Sequence, residues 1–399
     1  MKKFKRIFLI VMDSAGIGKA KDAAKFNDEG SNTWKHISEH MEGGLHIPTL
    51  NSLGMYDLDE IVGTTKVNHP NSFTIRVEEA SNGKDTMTGH WEMMGILTTK
   101  PFQTFTDTGF PKELVEELEK RTGHKTIGNY AASGTEILKV LGEECMNENK
   151  LILYTSSDSV LQLAGHEEKM GLDELYRCCS IARELCMKPE WFVGRIIARP
   201  FVGTSKENFK RTSNRHDYTI SPSGITAMDI LKENGYTVSC VGKINDIFNG
   251  VGVTETVKTV SNSDGMVKTS EIAKSESFKE GFCFVNLVEF DSEYGHRRNV
   301  LGYGKAIETF DKELADLLKI LRDDDLLMIT ADHGNDPTWF GTDHTRENVP
   351  LVVYSKSIKN GKYLGVRETF ADMGATIIEN FDLKKDKTMI GSPIKEILE

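Results

Sequence analysis

The chain has 399 residues, of which 38% are hydrophobic and 27% charged, and its formal net charge is −11. This is the composition of a globular protein, and the length exceeds what one hydrophobic core usually supports, so we expect two domains. The acidic balance argues against a nucleic-acid partner, because binding to phosphate backbones needs clustered positive charge.

The first apolar run is Ile7 to Met12, which reads as a buried strand ending at Asp13. It is too short for the core of a signal peptide, and no later run approaches a membrane span, so we expect a cytoplasmic protein without membrane contact. A polar string, Gly83 to His90, comes next, and a helix is predicted from Thr86 to Met94.

The middle of the chain has a different pattern from its two ends. A charged helix is predicted at Pro111 to Arg121, and strand-like runs at Leu151 to Tyr154 and Trp191 to Arg199. Turn-rich joins lie on both sides of this region. We therefore predict a smaller α/β cap domain, residues 100–217, inserted into a catalytic core formed by residues 1–99 and 218–399.

The last part of the chain alternates strands and helices. Four more runs are apolar on both faces, and the clearest helical pattern runs from about Lys305 to Arg322. The four runs are Tyr236 to Val241, Phe282 to Val288, Leu326 to Ile329 and Val349 to Tyr354. The alternation predicts an α/β fold with a mostly parallel sheet flanked by helices, and such sheets collect functional groups at the carboxyl edge of the strands.

Polar residues that can bind metal stand at or after these predicted strands and turns. Three aspartates and three histidines, without a thiolate, form a set of donors suited to divalent Mn, Zn, Fe or Mg. Two such ions about 4 Å apart can hold a phosphoryl group and activate a hydroxyl. The six residues are Asp13, Asp291, His296, Asp332, His333 and His344.

Taken together, the motifs resemble the bacterial-type phosphopentomutases of the alkaline phosphatase superfamily. The resemblance runs from Arg6 nearly to the last residue, and its most specific part is the string Lys84-Asp85-Thr86-Met87-Thr88-Gly89-His90-Trp91-Glu92. The other matching motifs are Asp13, Asp291 to His296, Asp332 to Asp336 and Gly341 to Glu347. The implied fold is an alkaline-phosphatase-like core with an inserted cap.

The resemblance implies a role for each of these residues. Asp291, His296 and His344 would hold one metal ion, and Asp13, Asp332 and His333 the other, with manganese as the expected ion. Thr86 would be the nucleophile and would carry phosphate in the resting enzyme. Its predicted position at the start of a helix agrees, because backbone N–H groups there favour phosphate. Thr88 is the competing candidate.

The implied reaction interconverts ribose 1-phosphate, or its 2-deoxy form, and ribose 5-phosphate through a pentose bisphosphate. A sugar bisphosphate such as glucose 1,6-bisphosphate would prime the threonine as activator. The cap would act as a lid that excludes water. The partners implied are small-molecule pentose phosphates, and no protein partner is implied.

Three further residues match substrate-binding positions of this family: Asp158, Arg195 and Lys243. An arginine can grip a distal phosphate with two hydrogen bonds, an aspartate can accept from ribose hydroxyls, and a lysine supplies a point charge. Each also has a plain structural reading, as a turn residue, an ion-pair partner or a solvated side chain. Arg211 and Arg215 are additional candidates.

Two other readings remain open. The nearest is a metal-dependent phosphatase or phosphodiesterase of the same superfamily, in which water is the final acceptor. The second is a metal-binding protein that has lost catalysis, against which the presence of Thr86 beside six possible ligands argues.

Overall fold

A computed structural model of the chain describes residues 3–156 and 159–399. The chain divides into two compact units. The first comprises the chain up to Thr99 together with Ser221–Glu399, and the second is the inserted segment Lys100–Ile220.

The described residues form fourteen strands. In chain order they are β1 (Arg6–Met12), β2 (Ser72–Val77), β3 (Thr126–Ala131), β4 (Leu151–Thr155), β5 (Val160–His166), β6 (Arg195–Val202), β7 (Lys210–Arg211), β8 (His216–Thr219), β9 (Thr237–Val241), β10 (Glu255–Val257), β11 (Gly281–Leu287), β12 (Asp325–Thr330), β13 (Val349–Tyr354) and β14 (Tyr363–Arg367).

The same residues form twelve α-helices. These are α1 (Thr33–His40), α2 (Pro48–Ser52), α3 (Thr86–Met93), α4 (Lys112–Thr122), α5 (Glu136–Glu148), α6 (Leu172–Leu185), α7 (Ala227–Glu233), α8 (Ile244–Ile247), α9 (Asn262–Lys274), α10 (Val300–Ile320), α11 (Ala371–Asn380) and α12 (Lys395–Leu398). A π-helical turn covers Phe290–Gly295, and short 3-10 turns cover Ala23–Phe26, Met55–Asp57 and Pro189–Trp191.

The first unit is built on an eight-stranded sheet in the order β10-β9-β11-β1-β12-β13-β2-β14. Neighbours are parallel except β13, which is antiparallel to both β12 and β2. All seven residues of β1 are buried, as are those of β11, because helices cover both faces of the sheet. The predicted mostly parallel sheet flanked by helices is confirmed, and its five predicted strands are present with ends shifted by at most one residue.

This strand order brings the polar residues to one edge. Strand β1 lies between β11 and β12, and all three run in the same direction. Asp13 follows β1, Asp291 follows β11 through the π-helical turn, and Asp332 with His333 follows β12. The carboxyl ends of three adjacent strands therefore form one wall of a site.

The inserted unit has its own six-stranded sheet. Five of its strands follow the order β3-β4-β5-β6-β7, and the sixth, β8, also pairs with β6. Helices α4 and α6 cover one face, where Leu114, Leu118 and Cys179 belong to one apolar cluster. Helix α5 covers part of the other face. The sequence placed the end of this unit at residue 217, whereas the compact unit extends to Ile220, because β8 pairs with β6.

All six cysteines are buried and unpaired in disulfides. Within residues 3–156 and 159–399, none of the helices is both long enough and apolar enough to cross a bilayer.

Candidate active site

Asp13, Asp332 and His333 converge at the end of β1 and β12. Nε2 of His333 lies 3.5 Å from Oδ1 of Asp13 and 3.4 Å from Oδ2 of Asp332. All three side chains are buried. They form one cluster of potential metal-binding atoms, all within 4.8 Å of one another.

Asp291, His296 and His344 converge beside this cluster. Oδ2 of Asp291 is 3.0 Å from Nε2 of His296 and 3.5 Å from Nε2 of His344, and the two Nε2 atoms are 3.2 Å apart. The rings of His333 and His344 lie 4.0 Å apart between centroids, and His333 also groups with Asp291 and His344 as a possible metal-binding set. All six predicted ligands therefore lie in one connected site, with His333 between its two halves.

Each of the three carboxylates has one oxygen held by a hydrogen-bond donor of the surrounding fold. Oδ2 of Asp13 accepts from Nδ2 of Asn286 at 2.8 Å, and Oδ1 of Asp291 accepts from Nδ2 of Asn335 at 2.7 Å. Oδ1 of Asp332 accepts from the backbone N–H of Ser14 at 2.9 Å. The opposite oxygen of each carboxylate points toward the histidines.

The carboxylate oxygens that point toward the histidines show whether the site can accommodate metal ions. In the described part of the chain, Oδ1 of Asp13 and Oδ2 of Asp332 are buried and accept no hydrogen bond. Nδ1 of His90 lies 3.2 Å from Oδ2 of Asp332, but its N–H donates to the carbonyl of Thr86 at 2.8 Å. A buried carboxylate oxygen without a donor is costly, and a divalent cation would satisfy it. The residues fit the metal centre.

The charges of the site lead to the same conclusion. Burial, followed by repulsion from Asp332 and Asp291, raises the pKa of Asp13 well above its ordinary value. Burial alone would also raise the pKa of Asp291, but His296 and His344 lower it well below the ordinary value. Three carboxylates this close resist ionising together unless positive charge lies between them.

The imidazole rings are oriented by backbone carbonyls. Nδ1 of His333 donates to the carbonyl of Gly334 at 3.0 Å, and Nδ1 of His296 donates to the carbonyl of Thr342 at 2.7 Å. Each ring therefore presents Nε2 to the carboxylates, the tautomer required of a metal ligand.

Helix α3 places Thr86 against this centre. Thr86 is the first residue of the helix, and its Oγ1 is 3.2 Å from Nε2 of His333. Asp85 caps the helix by accepting from the N–H of Thr88 at 3.0 Å, and it also accepts from the Thr88 hydroxyl at 2.6 Å. Thr88 is fully buried and its hydroxyl is engaged in the cap, whereas the hydroxyl of Thr86 faces the site.

The loop before Thr86 is held by a buried ion pair and by a buried carboxylate, and the sequence analysis gave these side chains no individual role. The Arg346 guanidinium donates to the carboxylate of Glu79 and to the carbonyl of Gly83. The carboxylate of Glu92 accepts from the N–H groups of Ala80 and Ser81. Arg346 follows the proposed ligand His344 by two residues, so one side chain ties the threonine loop to the ligand segment.

The three residues predicted to bind substrate have fewer described contacts than the proposed metal ligands. Arg195 begins β6, is half-buried, and has Nη1 3.9 Å from Oδ2 of Asp217. Lys243 is exposed at the start of α8, directly after β9 and Gly242. Asp158 lies outside the described residues. The roles of all three in substrate binding stay predictions.

The fold and the site define a metal-dependent enzyme. A sequence model of the Metalloenzyme superfamily matches residues 5–385, which spans both units. Among solved structures, PH0037 from Pyrococcus horikoshii has a similar fold, with a TM-score of 0.50, 14% identity, and coverage of 97% of this chain and 99% of that one.

Curated relatives narrow the class. The chain is 55% identical over 398 residues to a phosphopentomutase of Clostridium botulinum, covering 100% of both chains. It is 55% identical over 394 residues to a phosphopentomutase of Clostridium beijerinckii, covering 99% of both. The chain therefore belongs to the phosphopentomutase family, which confirms the resemblance found in its motifs, and it is an isomerase of the intramolecular phosphotransferase type.

Proposed function

We propose that this enzyme interconverts ribose 1-phosphate, or 2-deoxyribose 1-phosphate, and the corresponding 5-phosphate through a phosphorylated Thr86. The observation that carries the proposal is the position of the Thr86 hydroxyl, 3.2 Å from the His333 nitrogen that also faces Asp13 and Asp332. A hydroxyl at the start of a helix and beside paired metal-binding groups is suited to carry a phosphoryl group.

We propose that two divalent ions, with manganese as the resident metal, occupy the site. Asp291, His296 and His344 would hold one, and Asp13, Asp332 and His333 the other. Oxygen and imidazole donors without a thiolate suit manganese. When bound, such ions lower the pKa of an adjacent hydroxyl and neutralise charge on phosphoryl oxygens.

The rest of the proposed chemistry belongs to residues of the chain. The first backbone N–H groups of α3 face the phosphoryl group on Thr86, and Asp85 keeps the helix start in place through its cap on Thr88. The bond from phosphorus to Oγ1 of Thr86 breaks as a bond to a free sugar hydroxyl forms. The proton of that sugar hydroxyl ends on the threonine oxygen.

The second half of the reaction reverses these bonds. The sugar bisphosphate gives its other phosphoryl group to Thr86, which regenerates the phosphorylated enzyme and releases the isomeric monophosphate. A sugar bisphosphate such as glucose 1,6-bisphosphate is proposed to phosphorylate Thr86 initially and so to act as activator. The enzyme then starts each cycle already phosphorylated.

A product analysis tests this function. The purified protein, supplied with manganese and glucose 1,6-bisphosphate, is incubated with ribose 1-phosphate, and ribose 5-phosphate and free phosphate are both quantified. We expect ribose 5-phosphate as the main product. Mostly free phosphate would contradict the proposal and would identify a phosphatase of the same superfamily.

A further inference from the structure

The side chain of Arg298 lies where three loop segments meet beside the proposed metal centre. Arg298 is half-buried and follows the π-helical turn, and its backbone φ of +53° lies in the left-handed region that favours glycine. A long side chain in this conformation is retained where its contacts compensate for the backbone strain. Arg298 is not one of the six proposed ligands, so its contacts need another explanation.

The guanidinium of Arg298 contacts five oxygens that belong to the π-helical turn, the loop after β12 and the loop before His344. Four are backbone carbonyls and one is a side-chain amide oxygen, so none of them carries a full charge. The distances are 3.0 Å from Nη1 to the Gly295 carbonyl, 2.5 Å from Nη1 to Oδ1 of Asn335, 3.1 Å from Nη1 to the Asp336 carbonyl, 2.6 Å from Nε to the Gly341 carbonyl and 3.1 Å from Nη2 to the Asp343 carbonyl. One planar group with fixed donor directions therefore joins the three segments.

Arg298 determines which way the amide of Asn335 faces. Because an arginine can only donate, the amide presents Oδ1 to Arg298, and its Nδ2 then donates to Oδ1 of Asp291 at 2.7 Å. The reverse orientation would bring two donors together and would leave the Asp291 oxygen facing an acceptor. The orientation of Asp291 therefore depends on Arg298 through one intervening side chain.

Arg298 also holds the loop that orients His296 and carries His344. Nδ1 of His296 donates to the carbonyl of Thr342 at 2.7 Å. The carbonyls of the residues on either side of Thr342 both accept from Arg298, and His344 follows directly. Residues 341–343 are exposed, so packing contributes little to their position. The positions of both histidines therefore depend on the same guanidinium.

The other three proposed ligands are held by different parts of the fold. Asp13 accepts from a side-chain amide on β11, Asp332 accepts from a backbone N–H after β1, and His333 donates to a backbone carbonyl after β12. In the described part of the chain, none of the three hydrogen-bonds to Arg298 or to the side chain of Asn335. The two halves of the site therefore differ in their dependence on Arg298.

We infer that Arg298 is a positioning residue for only one of the two proposed metal ions. That ion is the one assigned to Asp291, His296 and His344. Hydrogen bonds that orient ligands before the ion arrives raise the affinity for the ion, and their removal weakens binding. The inference rests on the proposed assignment of the six ligands to two ions.

Titration of the full-length, metal-free protein with Mn²⁺ tests the inference. Free Mn²⁺ is quantified by its electron paramagnetic resonance signal, which gives the number of bound ions and the affinity for each. We expect Arg298→Gln to weaken binding of one ion about 10- to 100-fold and to leave the other within about twofold of the parent. Arg297→Gln is the matched control, because Arg297 is an exposed neighbour that pairs with Glu293, and it should leave both ions unchanged.

The pattern across the two ions separates positioning from a general structural role. A substitution that only loosens the fold would weaken both ions together, so equal weakening of both would overturn the inference, as would unchanged affinity for both. Arg298→Lys keeps the charge, donates in fewer directions and provides a second variant with a smaller change. It should weaken the same ion by a smaller factor, and parent affinity for both ions in Arg298→Lys would also overturn the inference.

A double substitution identifies which ion is weakened. His344→Ala is expected to remove the ion assigned to Asp291, His296 and His344. If Arg298 acts through that ion alone, adding Arg298→Gln to His344→Ala should not change the affinity for the remaining ion. A further loss of affinity in the double variant would overturn the inference.

The parent protein distinguishes a failure of this inference from a failure of the proposed function. If the parent binds two manganese ions and Arg298→Gln behaves like Arg297→Gln, the positioning role is overturned and the proposed function stands. If the parent binds fewer than two ions, the assignment of the ligands is contradicted, and the inference fails with it.

Discussion

The hydroxyl oxygen of Thr86 lies 3.2 Å from Nε2 of His333. Because Nδ1 of His333 donates to the carbonyl of Gly334, Nε2 carries the lone pair, and in this structure the threonine hydroxyl donates to it. The residue proposed as nucleophile and a residue proposed as metal ligand are thus in direct contact, although 247 positions separate them in the chain.

This contact gives the first prediction. Thr86→Val should abolish phosphoryl transfer and keep both metal ions, because it removes the hydroxyl and none of the six proposed ligands. Thr86→Ser keeps the hydroxyl and should retain measurable transfer. Turnover and metal content by mass spectrometry check both variants.

A change at Thr88 provides the control. Thr88→Val removes the hydroxyl that donates to Asp85, so it should cost about 1 kcal/mol of stability and leave transfer in place. Activity in Thr86→Val together with inactivity in Thr88→Val would exchange the roles of the two threonines.

The second prediction concerns Asn286, whose amide donates to Asp13 at 2.8 Å. Asn286→Leu should weaken binding of the metal proposed at Asp13 by about 10- to 100-fold, because the carboxylate loses the donor that orients it. Asn234→Leu, at an exposed helix end, is the control. Metal affinity is measured by competition with a chelator, and equal affinity in both variants would refute the orienting role.

The third prediction concerns Arg346. Arg346→Lys cannot hold both Glu79 and the Gly83 carbonyl, so the loop before Thr86 should shift while the ligands stay. We expect kcat to fall by about 100-fold with two metals still bound, since small displacements of reacting groups are costly. Loss of metal in this variant would contradict this expectation and would show that Arg346 mainly holds His344 in place.

The fourth prediction compares two adjacent ion pairs. Arg6 and Asp325 are fully buried and joined by two hydrogen bonds, of 2.7 and 2.6 Å, whereas the Lys5 side chain of the Lys5–Asp324 pair is 58% exposed. Arg6→Met should lower the free energy of unfolding by about 3–5 kcal/mol, because it leaves a buried carboxylate without its partner. Lys5→Met should cost less than about 1 kcal/mol. Urea unfolding measures both, and similar losses would contradict the burial argument.

The fifth prediction is a pH dependence at Glu347. Burial, followed by the charge of Asp336, raises the pKa of Glu347 to about 7 from an ordinary value of 4.5. The folded carboxyl therefore keeps its proton in a range where the unfolded one has lost it. Its contribution to stability should fall by about 3 kcal/mol as pH rises from about 4.5 to about 7.

Substitution isolates this effect. In metal-free protein, the stability of the parent chain relative to Glu347→Gln should decrease between about pH 5 and about pH 7.5. Urea unfolding of both proteins at both pH values gives the difference in their free energies of unfolding. The other titrating groups are the same in both proteins, so their contributions cancel in this difference. A difference that does not change with pH would show that Glu347 is already ionised at the lower pH.

The sequence indicated where these aspartates lie because buried parallel strands are short apolar runs with abrupt polar ends. Asp13 follows β1 and Asp332 follows β12, so both were visible as polar residues after apolar runs. The order of strands was not visible, since any of several orders fits the same alternation. Only the structure shows that β1 lies between β11 and β12.

The residues that hold the proposed ligands in place were missed for a related reason. Asn286 lies inside the apolar run of β11, where it reads as one polar residue in a strand. A single amide in a fully buried strand is itself a signal, because it needs a partner. Strand β5 was also missed, because Gln162 and His166 interrupt its apolar pattern.

The most direct measurement follows a labelled phosphoryl group. The full chain is exposed to glucose 1,6-bisphosphate labelled in its phosphates, and the label is located by peptide mass spectrometry before and after a chase with excess ribose 5-phosphate. The account predicts label on Thr86 that passes into the pentose phosphates during the chase. Label that never reaches Thr86, or that leaves it mainly as free phosphate, would contradict it.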